Sequence, residues 1–228
     1  MNKKCIMIAC AFFVAVALQA KVSLPAFFSD GMVMQQQSQA SLWGKASKGK
    51  IVEVTTGWDG QTYTTRADEQ GKWKLTVQTP AAGGPYDITF DDGERTRIKD
   101  ILMGELWICS GREQYGDAYE GFKNQPVEDA NMDVLRSRNS QIRLFTVKRN
   151  SQFAPVDDVT GCWNHAEPKT VREFSATAYY FGRLLQEQLQ VPIGLIVAAW
   201  GGSACEAWMR LNGSRHSPQL KYPKARKI

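Results

Sequence analysis

Two apolar runs that each end in a glycine turn constrain this chain more than any other feature of its sequence. Residues 101–109 lead into Gly111, and residues 193–199 lead into the turn at 200–202. The second run has no polar alternation, which is typical of a strand in a parallel sheet that is covered on both faces. Open α/β folds place their sites where such strands end. We therefore expect an α/β domain with one site built from both turns.

Glu113 follows the first turn at the place where some hydrolases hold a nucleophile on a sharp bend above the sheet. The sequence alone leaves open whether this glutamate is an acid, a base or a solvated loop charge. Glycoside hydrolysis would require a second carboxyl group at a set separation across a sugar. Asp117 lies only four residues away on a predicted loop, which disfavours that reaction.

The segment between the two turns predicts a second strand and a helix. Residues 141–147 read as the strand, and residues 171–190 as the helix, which Val191-Pro192 ends. Apolar residues recur through the helix at steps of three or four, which predicts a stripe that packs on the sheet. The stripe comprises Phe174, Ala178, Phe181, Leu185 and Leu189.

Upstream, residues 21–98 carry short alternating segments separated by turn residues, a pattern that predicts a small β-sandwich. The predicted strands cover residues 32–34, 41–43, 51–54, 62–66, 73–77 and 86–90. Trp58, Tyr63 and Trp73 could stack on sugars, but packing within or between strands is the favoured interpretation.

Residues 1–20 predict a secretory signal peptide, because a basic start precedes an apolar run and Ala20 stands at a plausible cleavage point. The expected location is therefore the periplasm or the exterior of the cell. No later run predicts a membrane span.

The charge and the cysteines exclude some classes of function. The net charge of +5 is scattered and inflated by the last residues, so no nucleic-acid partner is predicted. Cys109, Cys162 and Cys205 remain after the signal peptide, without the paired spacing that a metal site usually needs. We expect no metal and no cofactor, and buried free thiols rather than a disulfide.

Taken in order, these segments resemble the sialate O-acetylesterase family, carbohydrate esterases of the SGNH hydrolase type. The resemblance runs from Leu24 to Met209 and includes LPAFFSDGMVMQ at 24–35, IKDILMGELWICSG at 98–111, QIRLF at 141–145, YFGR at 180–183, VPIG at 191–194 and WGG at 200–202. Shorter matches lie at residues 43–44, 71–73, 81–86, 170–171, 174–176 and 206–209.

The resemblance implies a fold and a division of the chain. The β-sandwich at 21–98 would precede the first part of an SGNH-type domain at 99–209, with a flavodoxin-like, mostly parallel sheet. Residues 210–228 would be an aberrant tail, because they break a helix that has barely begun.

The resemblance also implies serine acyl transfer, which removes O-acetyl groups from sialic acids or other acetylated glycans. Gly111 and Gly202 match the glycines whose turns supply oxyanion donors. Trp200, Gly201 and Ser203 form the second turn, and Glu206 is expected to anchor it or to contact substrate.

The match fails at the nucleophile, since residues 112–115 are Arg-Glu-Gln-Tyr where the family has Gln-Ser-Asn-Met. Glu113 takes the position of the serine, and the late Asp-x-x-His block does not occur before Ile228. We therefore expect a poor esterase. A protein that binds acetylated glycans without hydrolysing them is the alternative. A chain that stops soon after residues 193–199 would also leave the sheet edge beside that strand unpaired.

The mismatch has a form that suggests its origin. Reading the codons for residues 113–115 one base later permits Ser-Asn-Met, and family-like sequence resumes at Gly121. Residues 112–120 and 210–228 are thus candidates for frame-shifted segments, with true divergence as the alternative.

His165 and Ser110 are not predicted to be catalytic. His165 lies in a polar stretch far from the expected late histidine, so a surface or structural role is favoured. Ser110 is one strand position away from the expected nucleophile site, so its side chain is expected to point to the wrong face of the sheet.

Overall fold

The computed structural model describes residues 21–111, 127–152 and 156–203. The predicted signal peptide, Glu113, Glu206 and the tail lie outside the described residues. The strands are β1 (Val33–Gln35), β2 (Gln39–Lys45), β3 (Ile51–Thr56), β4 (Thr62–Arg66), β5 (Lys72–Gln78), β6 (Gly83–Asp91), β7 (Arg95–Gly111), β8 (Asn139–Thr146), β9 (Trp163–Ala166) and β10 (Ile193–Ala199). The helices are α1 (Ala130–Leu135), α2 (Pro168–Arg172) and α3 (Ala176–Leu189).

The 17-residue strand β7 is shared by two halves of one large sheet. Among the described residues the order in this sheet is β4-β3-β6-β7-β10-β8-β9, with β1 also paired to β7. The first half of β7 is antiparallel to β6 and parallel to β1, while residues 105–111 are parallel to β10. The division predicted at residues 98 and 99 therefore falls inside a continuous strand.

The antiparallel half of the sheet faces a two-stranded sheet made of β2 and β5. In β3 every second residue is buried, so Val52, Val54 and Thr56 face this core. Trp73 is buried in the same core, with its ring centroid 5.9 Å from that of Phe90. The packing role that the sequence favoured for Trp73 over sugar stacking is thus confirmed.

The parallel half consists of β7, β10 and β8, with β9 antiparallel at its outer edge. Residues 193–197 of β10 are buried, as the continuous apolar run predicted. However, β10 lies between β7 and β8, whereas the flavodoxin-like order places the first strand between the second and third. The described strands do not reproduce that order, because the connection from β7 to β8 skips one position and β10 then fills it.

The predicted helix at 171–190 is wrong in one respect, because two helices occupy the segment. The break lies at Ser175, whose Oγ accepts a hydrogen bond from the N–H of Ala178 at 3.2 Å and caps α3. Phe174 and Ala178 of the predicted stripe are buried, but Leu189 is exposed. Tyr179 and Gly182 provide the buried contacts of α3 that the stripe omitted.

The unpaired sheet edge does not lie beside β10, contrary to the prediction, since β10 is flanked on both sides. Among the described residues, the unpaired edge lies along the second half of β7. The N–H of Glu105 and the carbonyl of Gly111 bond toward β10, so the backbone groups of Ile108 and Ser110 point the other way, where the described residues offer no strand. The side chain of Ile108 is 71% exposed.

None of the helices in the described ranges is long and apolar enough to cross a membrane.

Candidate active site

The end of β7 at Gly111 and the start of the second glycine turn lie side by side at one edge of the sheet. Ala199 is the register partner of Gly111, so the adjacent parallel strands β10 and β7 end side by side. The N–H of Trp200 continues the ladder and donates to the carbonyl of Gly111 at 3.3 Å. The sequence predicted that both turns would contribute to one site. The structure places the end of β7 beside the second turn, and the residues after Gly111 lie outside the described residues.

The second turn is closed by Ser203, whose N–H and Oγ both donate to the carbonyl of Trp200, at 3.3 and 2.6 Å. Gly202 has a φ of +76°, a value that favours glycine at the third position of such a turn. An added Cβ on Gly202 would meet no atom within 4 Å. The turn is thus a small, open backbone loop above the sheet.

Two backbone donors of this turn have no acceptor among the described residues. Within the described part of the chain, the N–H groups of Gly201 and Gly202 donate to no acceptor, and both residues are exposed. Unpaired N–H groups on a turn at a sheet edge can stabilise an oxyanion or bind an acceptor on a ligand. The family role assigned to Gly202 therefore has a donor group available, while the N–H of Gly201 was not singled out by the sequence.

Side chains of β7 pack toward α3 just before the strand end at Gly111. Cys109 is buried between β7 and α3, and burial raises the pKa of its thiol. Trp107 packs edge-on against Phe181 of α3, with 5.1 Å between ring centroids. Cys162 is also a free thiol but is exposed, so the expectation of buried free thiols is wrong at this position, which lies on the outer strand segment before β9. Cys205 lies outside the described residues.

His165 has a structural environment away from the turns. Its Nε2 lies 3.3 Å from Oδ2 of Asp100 and 3.1 Å from Nη1 of Arg143. Arg143 is the register partner of Gly194, five positions before Ala199, which places it about 16 Å along the sheet from the turns. The structural role favoured for His165 accords with this placement.

Asp100 and Arg143 form a paired cluster that the sequence interpretation missed. Arg143 is buried and bonds both carboxylate oxygens of Asp100, at 2.5 and 3.1 Å. The Arg143 hydrogen bond is the main cause that holds the pKa of Asp100 below its ordinary value, with His165 adding a smaller effect. The available signal in the sequence was Arg143 itself, a charged residue inside the predicted strand 141–147. A buried charge needs a partner, so a paired acidic residue could have been expected.

Comparison with known proteins finds similarity to carbohydrate esterases. No family model matches the chain. The sialate O-acetylesterases of mouse and human are each 26% identical to it over 200 residues, which is 80% of this chain and 36% and 38% of theirs. The solved structure of a carbohydrate acetylesterase from Xanthomonas citri superposes with a TM-score of 0.77 at 32% identity, over 83% of this chain and 42% of that one.

The mixed α/β fold with one large sheet is thus that of a carbohydrate esterase. In sequence the chain is similar to the sialate O-acetylesterase family. It spans little more than a third of the length of the curated relatives that it matches.

Proposed function

We propose that this chain derives from a secreted carbohydrate O-acetylesterase and that its two glycine turns bind the acetyl ester of a glycan, with sialic acid as the first candidate. The observation that carries the proposal is the pair of N–H groups at Gly201 and Gly202, which lie beside the end of β7 and donate to no acceptor in the part of the chain that the structure describes. The carbonyl oxygen of an ester becomes negatively charged during acyl transfer, and fixed backbone donors stabilise that charge. Gly111 and Gly202 would then flank the reacting carbonyl.

Family relationship supports the choice of an acetyl ester. The relatives named above are sialate O-acetylesterases and a carbohydrate acetylesterase. The division into an N-terminal β-sandwich and an SGNH-type domain belongs to the same proposal. It is supported by the two facing sheets of residues 33–103 and by the parallel strands that follow.

The proposed chemistry predicts a slow enzyme as encoded. Glu113 occupies the family position of the serine, and a carboxylate is a weak acyl acceptor. Loss of a serine nucleophile costs several powers of ten in rate. Binding of acetylated glycans without turnover is the second candidate function, and the open turn favours it because the donors remain when the nucleophile is changed.

Acetate release from O-acetylated sialic acid and from neutral acetylated sugars tests the proposal. The encoded chain is compared with a chain in which residues 112–115 are replaced by Gln-Ser-Asn-Met. We expect little release from the first and a measurable increase from the second. Family-like rates from the encoded chain would contradict the predicted impairment.

The oxyanion role has its own matched pair of variants. Gly201 is the second residue of the turn and has no positive φ, so Gly201→Pro keeps the turn while it removes the N–H. Gly201→Ala keeps the turn and the N–H. In the chain with the restored serine, we expect Gly201→Pro to lower acetate release by roughly 100-fold and Gly201→Ala to have little effect. Equal effects of the two variants would exclude this donor.

A further inference from the structure

A cavity of about 460 Å³ lies beside the proposed site, over the outer strands of the parallel half of the sheet. Its floor includes Leu144 and Thr146 of β8 and Asn164 of β9. Leu144 and Asn164 are register partners, and Thr146 follows Leu144 on the same face of β8. Residues of α2 and the turn after it, including Lys169 and Phe174, form a wall. The cavity is therefore built by elements whose positions the sheet fixes.

The cavity is within reach of a ligand held at the glycine turns. Thr146 is the register partner of Val197, and the N–H of Val147 donates to the carbonyl of Val197 at 2.9 Å. From Gly111 on β7, the strand β8 is two strand spacings away, or about 10 Å. A sugar whose acetyl group lies at the turns would extend across β10 toward this cavity.

The charge around the cavity favours an anion. Lys148 at the end of β8 and Lys169 of α2 both line it. Neither ammonium has an ion-pair or hydrogen-bond partner within the described ranges, whereas Lys72 and Lys45 share Asp157. Glu173 is the one carboxylate that the described residues contribute to the lining.

We propose that Lys148 and Lys169 bind the carboxylate of an acidic sugar and thereby select acidic over neutral acetylated glycans. This inference rests on the proposed function, because the turns would hold the acetyl group of the same molecule. Leu144 of the floor and Phe174 of the wall would contact the rest of the sugar. Because both lysines are exposed, the attraction should weaken as salt is added.

Binding of N-acetylneuraminic acid and of its methyl ester tests the inference, since the two ligands differ in the carboxylate charge. The encoded chain is titrated with each by NMR or calorimetry, so that no catalytic activity is needed. We expect the acid to bind about fivefold more tightly than the ester, which corresponds to about 1 kcal/mol, the upper end of the range for an exposed ion pair. The double substitution Lys148→Met and Lys169→Met should remove that difference.

Lys99→Met is the matched control, because Lys99 is exposed and lies outside the cavity lining. It should leave both affinities unchanged. Equal binding of acid and ester to the encoded chain, or equal losses in the control and the double variant, would overturn the inference. If the ester binds as well as the acid does, while the chain with the restored serine releases acetate from O-acetylated sugars, the proposed function stands and the lysine pocket fails. If neither sugar binds and no acetate is released, both fail.

Discussion

The backbone N–H of Trp200 donates to the carbonyl oxygen of Gly111 at 3.3 Å, which ties the end of β10 to the end of β7. This bond extends a parallel ladder of seven register pairs, from Ile193 with Glu105 to Ala199 with Gly111. The relative position of the two strand ends is therefore set by strand register. Any change that shifts β7 against β10 should disturb the candidate site even when it lies far from the turns.

Ile108→Lys should improve the solubility of the chain. The backbone groups of Ile108 point away from β10, its side chain is 71% exposed, and residues 106–111 carry no charge. Uncharged open edges promote pairing between molecules, and a lysine on the edge opposes it. Light scattering against protein concentration measures the effect.

Ile51→Lys provides the comparison for this change. Ile51 is 45% exposed but sits on β3, which is paired with β4 along this stretch. If both lysine variants reduce association equally, general surface charge rather than the β7 edge is responsible.

Gly104→Ala should prevent normal folding or destabilise the fold by about 3 kcal/mol or more. A Cβ at Gly104 would lie 1.9 Å from the carbonyl oxygen of Pro192, so β7 and the segment entering β10 would have to separate. Urea denaturation measures the loss. Gly60→Ala is the control, with no atom within 4 Å and a φ of +69°, and it should cost only about 1–2 kcal/mol.

Arg143→Ala should destabilise the chain by about 2 kcal/mol. The guanidinium is buried and bonds both oxygens of Asp100, but the Asp100 side chain is 37% exposed, so the full cost of an orphaned buried charge does not apply. Arg95→Ala removes a pair whose arginine is 81% exposed and should cost well under about 1 kcal/mol. Similar unfolding midpoints for both variants would contradict the structural importance of the Arg143 cluster.

Acid should weaken the fold in part through Asp100. The hydrogen bond from Arg143 lowers the pKa of Asp100 in the folded chain, so its contribution to stability is complete above the ordinary aspartate pKa of about 4. That contribution is lost as the pH falls through the lower folded pKa. Unfolding free energies from pH 7 to pH 2 should therefore decline less steeply for Asp100→Asn than for the unchanged chain. The pKa of Asp133 is also lowered, first by the hydrogen bond from Tyr180, and its share of the decline should persist in both proteins.

Alkylation should distinguish two cysteines of the folded chain. Cys162 is exposed, whereas Cys109 is buried and its thiol has a raised pKa, so it forms little reactive thiolate. A short pulse of iodoacetamide followed by peptide mass analysis should label Cys162 first. Both should react at similar rates in urea, and early labelling of Cys109 without denaturant would contradict the described packing.

Much of the local structure follows from residue patterns. The predicted strand at 62–66 coincides with β4, and the apolar run at 193–199 coincides with β10. The patterns did not reveal β9 or α1, because each is short. The buried face of β9 is set only by its pairing with β8. The break before α3 was also missed. Phe174 would be buried whether the segment formed one helix or two, and the serine cap gives no periodic signal.

The sequence by itself determined which segments form strands, that two strands end in glycine turns, and which family they resemble. These are properties of neighbouring residues, fixed by side-chain period and by the backbone freedom of glycine. Only the tertiary structure decided that β10 enters between β7 and β8, that Arg143 meets Asp100, and that Lys148 and Lys169 line one cavity. Such contacts join residues far apart in the chain, so they depend on which strands pair and in what register.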